Sequence, residues 1–225
     1  FTRAPSQFTI APQFEKELEG YLPGINAVLR EIQQNLFPGT NLRVTRSPAR
    51  SSFRGRMEVN IGGLNPNDMT MRLNVDALKS EFGAKPEAFK AKMLHTIFHE
   101  MAHPVEYFYV ANADSKTLSE ILKQYVKERN PSSVQRSFLV KGLLETRKGG
   151  DLEPVLQNML RATGLSRQQY NNFFSSYSKS TADSLVRQQV FGARYQRSFS
   201  EWVAEKGAEF YTKNIDQLVP KTVFE

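Results

Sequence analysis

His95-Thr96-Ile97-Phe98-His99-Glu100-Met101-Ala102-His103 contains every histidine of the chain, each four residues from the next. Apolar residues surround it: Ala88, Phe89, Ala91, Met93, Leu94, Ile97, Phe98, Met101 and Ala102 recur at helical spacing, and Pro86 suits a first helical turn. The spacing predicts a buried helix from about Pro86 to His103. Residues four apart share one helical face with Cβ atoms roughly 5–6 Å apart, so two such imidazoles can turn their nitrogens to one ion.

His99 to His103 also reads H-E-x-x-H. His99 and His103 are candidate Zn²⁺ ligands. Glu100, about 100° round the helix, is the candidate general base that takes the proton of a zinc-activated water and passes it to a leaving amine. His95 shares the face, but a His95-His99 pair would put Thr96 where the base belongs, so His95 reads as a packed or supporting neighbour. Pro104 lacks a helical donor, and the helix should end or kink there with His103 on its last turn.

A catalytic zinc needs a third protein ligand, and with no other histidine and no cysteine it must be a carboxylate or something weaker. Ser198-Phe199-Ser200-Glu201-Trp202-Val203-Ala204-Glu205-Lys206-Gly207-Ala208-Glu209-Phe210-Tyr211 is the strongest segment. Glu201 is its candidate ligand. Glu205, one turn on, is placed to accept a hydrogen bond from the free ring N–H of a ligand histidine, and Ala204, Gly207 and Ala208 allow close approach to the histidine helix. Glu205 with Glu209 is a second register, and Glu120 and Glu145 are further carboxylates nearer in sequence.

The pair of motifs, His99 to His103 and Glu201-Trp202-Val203-Ala204-Glu205, resembles zincin metallopeptidases of the gluzincin type, and the second motif resembles the lethal factor-like branch. That resemblance covers two helices and implies Glu201 as the ligand, Glu205 as its support and a tyrosine shortly before the ligand as oxyanion donor. Tyr195 is the match, with Arg194 and Arg197 as alternatives. A metzincin would need Gly at 106 and His at 109; the chain has Glu106 and Tyr109, which excludes that class. Zincin substrates lie extended against an edge strand, for which Met69 to Val75 is the expected segment.

Residues 12–36 carry helical spacing broken at Pro23-Gly24, and β character follows at Leu42 to Thr45, Met57 to Ile61 and Met69 to Val75. Downstream, helices are predicted over about 116–128, 132–146, 152–163, 166–178, 182–191 and 198–213, with Asp151 and Ser198 as N-caps. The expected fold is α+β: a small mixed or antiparallel zincin-like sheet on the motif helix (residues 1–112), then a mostly helical subdomain (113–225) returning the third ligand, together one catalytic domain.

The chain has 225 residues and 40% hydrophobic content, enough for a core without staples, and the absence of cysteine rules out disulfides and thiol nucleophiles. No apolar run reaches the roughly 18 residues of a membrane span, and Phe1 to Phe14 lacks the zones of a signal peptide. A start at Phe1 rather than Met suggests a domain of a larger protein, for which a phage virion protein or secreted toxin is the analogy; localisation is open. The net charge of +7 is diffuse, so it permits an acidic partner without demanding one. The expected function is zinc-dependent peptide-bond hydrolysis. Its rivals are a catalytically silent interaction module, a basic nucleic-acid-associated protein, and a protease acting on DNA-bound proteins.

Overall fold

The computed structural model describes residues 7–11, 29–30, 33–34, 39–48, 50–59, 68–82, 84–106, 110, 113–147, 150–178 and 182–213. Strands β1 (Gln7–Ile10), β2 (Asn41–Arg46), β3 (Gly55–Val59) and β4 (Asp68–Leu73) precede helices α1 (Val75–Phe82), α2 (Pro86–Val105), α3 (Ser115–Arg129), α4 (Ser133–Thr146), α5 (Glu153–Thr163), α6 (Arg167–Ser178) and α7 (Ala182–Lys213). The architecture is mixed α+β and mostly helical. Contacts divide it into two compact units, Phe1–Val105 with Ala204–Glu225, and Glu106–Val203.

In the first unit the sheet runs β1-β2-β4-β3, with β1, β2 and β4 parallel and β3 antiparallel to β4. Register puts Leu42 beside Met69 and Val44 beside Met71, and all four are buried, so one face of the sheet is apolar. The polar residues that alternate with them, among them Arg43, Thr70 and Arg72, are at least partly exposed. Because β4 is paired on both sides, it is not the edge expected of Met69 to Val75. Among the described strands β3 is the edge next to β4, and β1 is the other.

β4 stops at Leu73 because Asn74, fully buried, caps α1: its Oδ1 accepts from Ala77 N at 3.1 Å while its Nδ2 donates to Ser51 O at 3.0 Å. Val75 therefore opens a helix instead of ending a strand. In α2 the buried residues Phe89, Met93, Ile97 and Met101 follow one another at intervals of four, joined by Phe98 and Ala102. Each such side chain contributes roughly 1.5–3 kcal/mol on burial. α2 ends at Val105, one residue past Pro104, so His103 does lie in its last turn.

The second unit packs α3 to α6 and part of α7 around Leu118, Leu122, Tyr125, Leu139, Leu143, Met159, Leu160, Phe199 and Trp202. Its caps explain its boundaries. Asp114 accepts from Lys116 N and Thr117 N at the start of α3, Ser132 and Gln135 form a capping box on α4, and Gly164, at φ +67, closes α5. Asp151 Oδ1 accepts from Glu153 N, although the residue at the cap position is Leu152. Ser198 caps nothing: α7 is continuous from Ala182 to Lys213, since Gly192, the one weak helix former between 191 and 198, costs only about 1 kcal/mol in a helix interior.

No helix among the described residues is long and apolar enough to cross a membrane. The helical pattern read over 12–36 falls almost wholly outside the described residues, with 29–30 and 33–34 helical, and residues 60–67, including the end of the strand read at Met57 to Ile61, lie outside them.

Candidate metal centre

α2 turns its apolar face to the core and carries the chemistry on its flank. His99 is about one-fifth exposed, His103 is half-buried and Glu100 is buried at 6% exposure. Each offers one ligand-type atom, and these three atoms lie within 4.8 Å of one another. The rings of His99 and His103 meet edge to face, with centroids 5.1 Å apart. Two imidazole nitrogens with a carboxylate beside them are a group that could hold a metal ion.

Glu100 owes its seat to a glycine. A Cβ built on Gly55, the first residue of β3, would stand 2.8 Å from Glu100 Cγ, 2.8 Å from Glu100 Oε1 and 2.7 Å from Thr96 Cγ2. Only a residue without a side chain lets the edge strand close on the flank of α2 there. The sequence marked the glutamate but not its neighbour, because a glycine at the start of a strand carries no chemical signature.

The last part of α7 belongs to the same unit. Ala204 and Ala208 are fully buried, a Cβ on Gly207 would come within 2.7 Å of Ala102 Cβ, and Tyr211 packs at 5.8 Å from Phe98 between ring centroids. This small-residue contact brings Glu205 to the histidines. Its Oε2 lies 3.3 Å from His99 Nδ1 and its Oε1 lies 3.3 Å from His95 Nε2. Burial pushes the His95 imidazole below its usual value, and the Glu205 carboxylate opposes that shift.

Glu201 is exposed on α7 and falls in the second unit. Glu120 is exposed, and the hydrogen bond from Lys123 Nζ at 2.7 Å holds its carboxyl below the usual range. Glu145 lies 3.7 Å from Lys141 Nζ and Glu209 lies 3.7 Å from Lys206 Nζ, both as solvated pairs within one helix. Tyr195 lies on α7, but its side chain, like those of Arg194 and Arg197, is outside the described set.

The chain matches no protein-family model, no curated protein and no solved structure.

Proposed function

We propose that the protein is a zinc-dependent metallopeptidase of the zincin kind, and the observation that carries this is the convergence of His99, Glu100 and His103 within 4.8 Å, with the glutamate buried. Buried carboxylates beside histidines cluster at functional sites, and Glu100 at 6% exposure is such a group. His99 and His103 would hold the metal. Zinc bound there would supply Lewis acidity and make a water acidic near neutral pH.

Glu100 is the residue that moves the proton: it accepts one from the attacking water and donates it to the departing amine, so that water adds across the peptide bond and two new chain ends form. Glu205 accepts from His99 Nδ1–H, fixing the tautomer that leaves Nε2 free to ligate. Both Glu205 oxygens face histidines; the candidate third ligand from the sequence is Glu201, with Glu205, Glu120 and Glu145 as its alternatives. Tyr195 remains the candidate oxyanion donor. The edge strand β3, closed onto Glu100 through Gly55, supports an extended peptide lying alongside it.

A broad peptide-library digest tests this on zinc-reconstituted wild type and Glu100→Gln. Cleavage by wild type and its loss in Glu100→Gln with zinc retained is the expected result. A wild type that holds zinc yet cuts nothing would leave the silent interaction module in its place.

A further inference from the structure

The proposed reaction uses His99, His103, Glu100 and Glu205, and leaves one histidine of the face unexplained. His95 is about one-quarter exposed, lies one turn before His99 and is roughly parallel to it, with ring centroids 6.4 Å apart and 28° between planes. Its Nε2 is as far from Glu205 Oε1 as His99 Nδ1 is from Glu205 Oε2, 3.3 Å in each case. One carboxylate therefore spans two imidazoles on successive turns, using a different oxygen for each.

We infer that His95 is a positioning residue for the metal centre: by holding Oε1 it fixes the rotation of the Glu205 carboxylate, so that Oε2 is aimed at His99 Nδ1. A glutamate has three side-chain torsions, and Glu205 is 43% exposed, so without a second anchor it is free to swing into solvent. Lost rotamer freedom is then supplied before the metal arrives. His95 acts only through Glu205 and contributes no metal bond.

The neighbours fit this role. The nearby cation is Lys92, on the same helix one turn further from His99. Ala204 and Ala208 are buried to either side of Glu205 on α7, so its backbone is held by packing while its carboxylate is held by the two rings. An imidazole is well suited to this task because it is rigid beyond two torsions and can present Nε2–H at the far end of the ring. A glutamine can present its amide N–H at nearly the same reach. Phenylalanine fills the space with no donor.

This inference rests on the metal reading above, and its test separates the two. Co²⁺ affinity would be measured by competition with a chromogenic chelator, together with the ligand-field absorption of the bound ion, on full-length wild type, His95→Phe, His95→Gln, Glu205→Gln and the His95→Phe/Glu205→Gln double variant. Apo-protein melting would be followed on the same samples. Removing a direct partner of a ligand histidine costs about 10- to 100-fold in metal affinity, which is the expectation for Glu205→Gln. His95→Phe should cost roughly 3- to 10-fold, His95→Gln should recover to within about twofold of wild type, and the double variant should be no weaker than Glu205→Gln, since residues acting through one partner are not additive.

A His95→Phe variant with wild-type affinity, a failure of His95→Gln to recover, or full additivity in the double variant would overturn the positioning role while leaving the metal site standing. A wild type that binds no Co²⁺ would overturn the metal reading itself. A purely structural role would lower apo melting in His95→Phe without the non-additivity with Glu205→Gln.

Discussion

The two units bury different things. Among the described residues, the first buries Gln33, Ser47, Asn74, Thr96 and Glu100 alongside its apolar core, whereas the second buries only Ser137 and Thr163 of the polar types. Thr163 is a structural case: its hydroxyl donates back to Met159 O and Leu160 O on its own helix. Glu100 is an ionisable group at 6% exposure, seated beside His99 and His103. The first unit carries the His99, Glu100 and His103 group beside its apolar core, and the second is packed with aromatic and aliphatic residues such as Tyr125 with Phe199 and Trp202.

Substitutions can break this contrast. The largest effect is expected from Glu100→Gln, which should lower peptide cleavage by about 10²- to 10⁴-fold, the range of a lost general base, while zinc content measured by plasma mass spectrometry stays unchanged. Next is Gly55→Ala. The new methyl would need the space of Glu100 Cγ and Thr96 Cγ2, and a displacement of about 1 Å at a reacting group can cost 10²-fold. Steady-state kinetics should show the loss mainly in kcat with zinc retained. An unaltered kcat would mean that β3 does not set the position of the base.

In the second unit the matching glycine change should behave differently. Gly164 sits at φ +67 as the closing residue of α5, with Arg136 Nη1 3.3 Å from a built Cβ. Gly164→Ala should lower stability by about 1 kcal/mol in denaturant titration and leave zinc content and cleavage alone.

Glu106 gives a smaller, pH-dependent effect. Burial raises its carboxyl above the ordinary value of 4.5, and the hydrogen bond from Ser200 Oγ at 3.2 Å only partly opposes this. A raised carboxyl favours folding while protonated and loses that advantage as pH rises from the unfolded value through the folded one. Glu106→Gln should therefore melt higher than wild type at neutral pH, and the gap should close as the pH falls below about 4.5. A gap that widens on acidification would contradict the sign. The smallest effect is expected from Glu120→Gln on the exposed face of α3, where melting and zinc content should both be unchanged.

What the sequence made legible follows from locality. The histidine helix and the helices expected over 132–146 and 152–163 are set by spacings of three and four that act within a turn, whereas of the two expected N-caps Asp151 falls one residue before the cap position and Ser198 inside a continuous helix. The small residues Ala204, Gly207 and Ala208 likewise announced a close helix contact, and α7 makes it against Ala102. Strand order is not local. Nothing in Met69 to Leu73 says that β3 folds back beside it and takes the edge. The apolar alternation of Met69, Met71, Leu73 and Val75 reads as one strand, whereas Asn74 caps a helix that starts at Val75. Gly55 and the link from Glu205 to His95 depend on tertiary approach, and no pattern within one segment encodes them.

The central claim is that His99 and His103 hold a metal beside a buried glutamate, and metal stoichiometry tests it most directly. Wild type, His99→Ala and His103→Ala would be stripped with chelator, reconstituted with Zn²⁺, desalted and measured by plasma mass spectrometry with circular dichroism as a check on folding. About one zinc per wild-type chain and strong depletion in both folded variants is the expected result. A wild type without zinc, or equal zinc in all three, would contradict the account.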